Sequence, residues 1–314
     1  MILREGGTLP GTTVALPAPP AGWVDIDRSV LMDGTLALVR ADHDVIAERR
    51  RRRAGNPGAV GPLPAIERFR VSVFDGRTET SAVELPGPAW WWQLDRLADG
   101  RWLLVTDKAR LFTPDGRPDG EFDIGRHFEL VRCAPDGTIW AGYYDQGTTL
   151  DRDAGGQRPV SWAGVAQFEA EGIVRWDFND EYDRGRVHWN VFSCWLLTVS
   201  GDGIWCCIEP EFPIVRITEG RIRWWRNEVH GARALAVDGD HVLLAGGWAE
   251  DRSGLDRLAL VRLEDDRARP LGAWHHPLID GAEMVQGNGS TLHVVADGQW
   301  TRLEVAAMRD AFGA

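Results

Sequence analysis

The sequence predicts an all-β fold: a single six-bladed β-propeller of four-stranded blades spanning residues 1–314. Three observations carry this. Six Asp-Gly or Asn-Gly turns lie between short apolar runs, with their Asp or Asn at positions 33, 99, 136, 202, 238 and 288. Such dipeptides are the strongest short hairpin signal, because type I′ turns need φ > 0. The last repeat supplies only three strands, and the N-terminus offers a spare one to complete it. Trp recurs at matching places, Trp102, Trp140 and Trp205 in second strands and Trp176, Trp224 and Trp225 in fourth strands. Large rings there fill the widening gaps between radially splayed sheets.

In chain order, the spare strand is residues 12–17. Blade one, 22–87, turns at Met32-Asp33-Gly34 and continues with strands at 36–39, 69–74 and 78–85. Blade two, 88–126, opens as blade one does: Leu85-Pro86-Gly87-Pro88-Ala89-Trp90 repeats the strand, Pro-rich turn and Trp that lead into Trp23. Blade three, 127–180, and blade four, 190–228, turn at Pro135-Asp136-Gly137 and Gly201-Asp202-Gly203. Blade five, 230–277, turns at Asp238-Gly239-Asp240. Blade six, 279–306, turns at Gly287-Asn288-Gly289 and takes the N-terminal strand as its fourth, which leaves the ring without an open seam. Turn spacings of 36 and 37 fit a bare blade, whereas 50 and 66 imply insertions. The one helix expected beyond a turn or two is the tail, 306–312. A β-sandwich also shows strands at regular spacing. It does not produce six copies of one hairpin or a first strand that fits the missing last one.

Composition sets the outer bounds. With 44% hydrophobic residues the chain can bury a full core, so wholesale disorder is excluded. A net charge of −12 speaks against nucleic acid as a partner. No apolar run reaches the roughly 20 residues of a membrane span, so no membrane partner is expected. Residues 1–7 carry no apolar signal core. The four cysteines, Cys133, Cys194, Cys206 and Cys207, include no CxxC pair and read as reduced, buried thiols of a cytoplasmic protein. There are 16 Trp, and Lys108 is the sole lysine against 34 Arg. That bias fits a high-GC bacterial source.

The motifs Pro135-Asp136-Gly137-Thr138-Ile139-Trp140 and Gly201-Asp202-Gly203-Ile204-Trp205 resemble the Asp-Gly-x-Ile-Trp signature of bacterial propellers. These include NHL-repeat proteins, sensor-kinase propeller domains and the gluconolactonase/strictosidine-synthase superfamily. The segments 139–147 and 212–217 are similar to uncharacterised bacterial β-propeller proteins, a resemblance that implies fold and brings no activity.

Function is expected on one face. In a propeller the loops joining strand two to three, and strand four to the next strand one, lie on top. The insertions 43–65, 146–164, 179–190 and 246–255 all map there, and long loops on a rigid scaffold are where binding residues collect. First-strand entries bring Asp25, Asp27, Gln93, His127, Glu129, Ser193, His230, Arg233, Asp280 and Glu283 toward the mouth, where one residue of register turns each side chain to the opposite face. Loops add Tyr143, Tyr144, His188, Trp189, Trp248, His275 and His276. This mixture suits a binding platform for an unknown protein, a peptide or a small polar ligand, with no cofactor. The alternative is a metal-dependent hydrolase resembling the lactonases. That resemblance implies one divalent cation, Ca²⁺ or Mg²⁺, held by oxygens, for which Asp25, Glu129 and Glu283 are the candidates. The chain departs from the pattern because no first strand carries Asn at the right depth; Asn190 is just upstream of one and Asn179 lies in a loop. Ser193 and His188 are five apart without a nucleophile motif around them. A second alternative is a cytoplasmic immunity protein against a toxin, suggested by acidity and architecture. The run Arg49–Arg53 reads either as a solvated, disordered loop tip or as an anion clamp.

Overall fold

The computed structural model describes residues 2–5, 8–55, 66–87, 92–149, 156–188, 190–247 and 257–313. Strands β1 (Ile2–Glu5) and β2 (Thr12–Ala15) precede the first blade. Blade one is β3 (Trp23–Val30), β4 (Leu36–Asp42), β5 (Arg68–Phe74) and β6 (Glu79–Pro86). Blade two is β7 (Gln93–Arg96), β8 (Trp102–Val105), β9 (Ala109–Phe112) and β10 (Pro118–Phe122). Blade three is β11 (Phe128–Cys133), β12 (Ile139–Tyr143), β13 (Val165–Phe168) and β14 (Val174–Asp177). Blade four is β15 (Ser193–Ser200), β16 (Gly203–Glu209), β17 (Ile214–Thr218) and β18 (Arg221–Trp225). Blade five is β19 (Ala232–Asp238), β20 (His241–Gly246), β21 (Arg257–Leu263) and β22 (Ala268–His275). Blade six is β23 (Met284–Asn288), β24 (Thr291–Ala296) and β25 (Gln299–Glu304), completed by β2. The four blade strands are antiparallel throughout, in chain order in blades one to five, and in blade six β2 pairs β25 with Thr12 opposite Arg302. The first strands touch one another in sequence around the ring, β3 to β7 to β11 to β15 to β19 to β23 and back to β3. The protein is a six-bladed β-propeller.

The core is six slabs, one per gap between blades. Alternate residues of each middle strand serve opposite gaps, as the two-residue strand period requires. In β16, Ile204, Cys206 and Ile208 face blade three while Trp205 and Cys207 face blade five. The adjacent cysteines thus diverge, and all four thiols are buried and free. The repeated Trp residues are wall-to-wall filler: Trp205 stacks on Trp225 at 5.6 Å, and Trp140 meets Trp176 at 5.7 Å. Arg40, fully buried on β4, binds Asp25 at 2.9 Å, Glu79 at 2.7 Å and Ser72 at 3.1 Å. It also reaches the Pro17 carbonyl at 3.4 Å, tying blade one to the segment that arrives from the closing strand.

Four features differ from expectation. β1 adds a fifth strand to blade five, parallel to β22. The Arg49–Arg53 run is not a loop tip: it continues helix α1 (His43–Gly55). The Asp42 carboxylate caps that helix by accepting the Asp44 and Val45 amides at 2.8 and 3.1 Å, and Arg is a good helix former. Short helices α2 (Asp145–Thr148), α3 (Phe178–Asp183) and α4 (Pro277–Asp280), with a 3₁₀ turn at Val160–Ala163, shape the insertions. The expected tail helix is α5 (Val305–Phe312). Finally, three of the six expected Asp-Gly or Asn-Gly turns are not type I′, whereas the two-residue loops Glu219-Gly220 and Asp297-Gly298 have both residues at φ > 0 as type I′ requires. At 31–35, 97–101 and 134–138 a tight turn ends in Gly34, Gly100 or Gly137 at φ between 80 and 89°. The preceding Asp accepts the amide two residues on, as Asp136 does from Thr138 at 3.0 Å. This is the three-residue loop with a glycine bulge.

Candidate ligand-binding site on the loop-rich face

The antiparallel order places α1, α2, α3, α4 and the 3₁₀ turn on one face, where strands one begin. On that face a cavity of about 870 Å³ opens between blades two and three. Three segments wall it: Thr106–Lys108 between β8 and β9, 123–129 from the blade connection into β11, and Tyr144 with Gln146 at the start of the next insertion. The Tyr144 amide donates to the His127 carbonyl at 2.9 Å, joining two of these walls. His127 itself is held at φ +57°, a left-handed conformation uncommon outside glycine and one that concentrates at functional positions.

The charges in this cavity fall into two sets. Lys108 is taken by Glu121 at 2.7 Å. Asp107 accepts from the Thr106 hydroxyl at 2.6 Å and pairs with Arg110 at 2.8 Å, contacts that pull its carboxyl down to about 2. Asp123 accepts the Gly125 amide at 2.8 Å. By contrast, among the described residues the side chains of Arg126, His127 and Glu129 have no hydrogen-bond or ion-pair partner. Arg126 and His127 are exposed, and partial burial of Glu129 raises its pKa. Tyr144 stands edge-on to Trp195 at 5.5 Å, which fixes the aromatic wall.

First strands carry a second feature. One extra residue is inserted near the upper end of β3, β11, β15 and β19. The bulged residues are Ile26, Glu129, Trp195 and Arg233. A bulge re-aims a side chain and resets the strand's face. It turns Glu129 to the upper cavity while Leu130 and Arg132 line a separate one of about 270 Å³ in the central channel. The channel cavity is eccentric. Blades four, five and six close together: Thr198 Oγ donates to the Leu235 carbonyl at 3.0 Å, and Gly287 leaves no room for a Cβ beside that same oxygen. The open part is bounded by β23, β3, β7 and β11.

The expected site residues distribute as follows. His127, Glu129 and Tyr144 come together at the upper cavity, and Asp27, Gln93 and Glu283 at the channel cavity. Tyr143 is a core residue: it is fully buried and its hydroxyl donates to the Ile124 carbonyl at 2.5 Å, so it does not line a pocket. Ser193 is buried with an unpartnered hydroxyl, and no hydrogen bond to the exposed His188 occurs. His230 is exposed and stacks on Phe212 at 5.2 Å, while Arg233 is exposed at the blade-five bulge. Asp280 is exposed in α4; His276 caps that helix by accepting the Leu278 amide at 3.1 Å, and His275 ends β22. Trp189 and Trp248 lie outside the described residues. Asp25 and Glu283 do not join Glu129 as one oxygen cage. Asp25 is held by Arg40, Glu283 by Arg28 at 2.5 Å, and Glu129 faces the other cavity. Asn179, fully buried, accepts the Val191 amide at 2.8 Å and pins its own insertion. These carboxylates therefore do not fit the cation set implied by the lactonase resemblance.

Sequence reasoning missed Arg126, Arg28, Arg132 and Trp195. The first was hidden in a connection too short to stand out as an insertion. The bulges displaced the others, since a one-residue slip exchanges faces.

No family profile matches the chain, and no curated protein sequence matches it. Among solved structures it is similar to the PQQ-bound aldose sugar dehydrogenase of Streptomyces coelicolor, 14% identical with a TM-score of 0.47 over 94% of this chain and 98% of that one. It is also similar to the WD40 domain of Neurospora crassa Pan2, 11% identical with a TM-score of 0.47 over 93% and 81%. A protein of unknown function from Bacteroides caccae is 14% identical, with a TM-score of 0.39 over 66% and 68%. Among the described residues no helix is long and apolar enough to cross a membrane.

Proposed function

We propose that this propeller is a binding module that takes a polar small ligand in the upper cavity between blades two and three. The observation that carries the reading is the convergence of Arg126, His127 and Glu129, all unpartnered among the described residues, on one cavity of about 870 Å³. That volume falls within the roughly 300–1,000 Å³ of ordinary ligand sites. The three side chains supply a fixed cation, an imidazole and a carboxylate, and Tyr144 supplies an aromatic edge. A hydroxylated ligand with a negatively charged end matches this set: the anion meets Arg126, and hydroxyls meet Glu129 and His127.

A screen of polar metabolites by thermal shift, followed by calorimetry on each hit, tests the reading. Arg126→Ala and Glu129→Ala should melt like the parent, because neither side chain holds a partner. Each should weaken binding by roughly tenfold or more, the scale of a lost charged hydrogen bond. Hits whose affinity neither substitution changes would refute it.

A further inference from the structure

The channel cavity is independent of the upper site and carries its own chemistry. Arg132 on β11 is 8% exposed, and it makes no ion pair among the described residues. Its Nη1 donates to the Val131 carbonyl at 2.7 Å and reaches the Gln93 amide oxygen at 3.4 Å, while its buried Nε has no partner. A guanidinium that deeply placed ordinarily has a carboxylate fork against it. The carboxylate in its neighbourhood, Asp95, is already bonded to the Cys133 and Arg96 amides at 2.8 Å each. Across the cavity, on blade one, Asp27 accepts only the Arg28 amide at 2.7 Å and likewise has no ion-pair partner among the described residues. The other charges are ion-paired: Arg28, whose buried Nε also has no hydrogen-bond partner, binds Glu283 at 2.5 Å through Nη1 and lies 3.7 Å from Asp25. Gln286 is committed to both polar groups of the Val30 backbone.

Arg132, which feels the Asp95 charge only from beyond ion-pair distance, and Asp27, which feels Arg28 in the same way, thus face a common cavity of about 270 Å³ from blades three and one. We propose that this cavity binds a small amino acid, its carboxylate on Arg132 and its ammonium on Asp27. A simple dianion is disfavoured because Asp27 and Glu283 share the cavity wall, and a simple amine is disfavoured by Arg132. A zwitterion satisfies both and adds no net charge to a partly desolvated space. The exposure of Asp27 and Glu283 shows that the cavity communicates with water. Although Asp27 reaches water, desolvation by the surrounding walls raises its pKa against the Arg28 amide and charge; an ammonium at the carboxylate would oppose that rise.

Calorimetry on the full chain with glycine, β-alanine, 4-aminobutyrate, L-alanine and L-serine tests this, with acetate and methylammonium as half-ligands. The first three differ in charge separation and so measure the span between the walls. At least one amino acid should bind saturably, and more tightly than either half-ligand. Asp27→Asn should weaken it by roughly tenfold, and Arg132→Gln should do the same or more. Asp27 is exposed, so its variant decides the matter even if Arg132→Gln does not fold. No saturable binding across the panel, acetate binding as tightly as the amino acids, or an unchanged affinity in Asp27→Asn would each overturn the proposal.

Discussion

His293 lies 2% exposed on β24, where the Trp300 indole N–H donates to its Nδ1 at 3.2 Å. That bond needs an unprotonated nitrogen. Burial first, and Arg302 second, push the imidazole down to about 3. The unfolded chain takes up this proton below about pH 6.5, whereas the folded chain resists until about 3, so stability falls as pH falls across that window. At pH 4 this one group costs about 3 kcal/mol relative to neutral pH. The stability difference between the parent and His293→Gln, from denaturant melts, should therefore shrink by about 3 kcal/mol between pH 7 and pH 4. A pH-independent difference would contradict the assignment. At this scale the sequence showed His293 only as one more polar residue in an apolar strand. Its partner comes from the next strand of the hairpin, and spacing alone does not reveal which nitrogen is occupied.

At the scale of elements, two glycines separate turn chemistry from blade packing. Gly137 sits at φ +82° with open space around it, so Gly137→Ala should cost about 1–2 kcal/mol from backbone conformation alone. Gly287 has ordinary backbone, but an added Cβ would stand 1.6 Å from the Leu235 carbonyl oxygen, within the closed side of the ring. Gly287→Ala must push β23 from β19 and should cost clearly more, on the order of 3 kcal/mol or above. Equal losses in thermal or denaturant melts would show that the eccentric channel is not set by this contact. The turns were legible because Asp-Gly is a local signal. The bulges at Ile26, Glu129, Trp195 and Arg233 were not, because an extra residue is defined by its opposing strand. Helix α1 was misread for a similar reason: a run of like charge suggests solvation, while its Asp42 cap and the Glu48–Arg51 pair at 2.8 Å favour a helix.

The whole molecule was the most legible level. Six repeats and a missing strand imply a ring, and the pairing of Thr12–Ala15 with β25 supplies it. Two polar sites on that ring were only partly legible. His127, Glu129 and Tyr144 were in reach because they lie where strands enter the loop-rich face, whereas Arg126 and Arg132 gain meaning only from what surrounds them. The central claim is that binding occurs at the upper cavity between blades two and three. Hydrogen–deuterium exchange, with and without a hit from the metabolite screen, measures this without any substitution. Slowed exchange should concentrate at residues 106–108, 123–129 and 144–146, with the Asp-Gly turns at 31–35, 97–101 and 134–138 unchanged. Protection at those turns, on the opposite face, with none at the cavity walls would contradict the account.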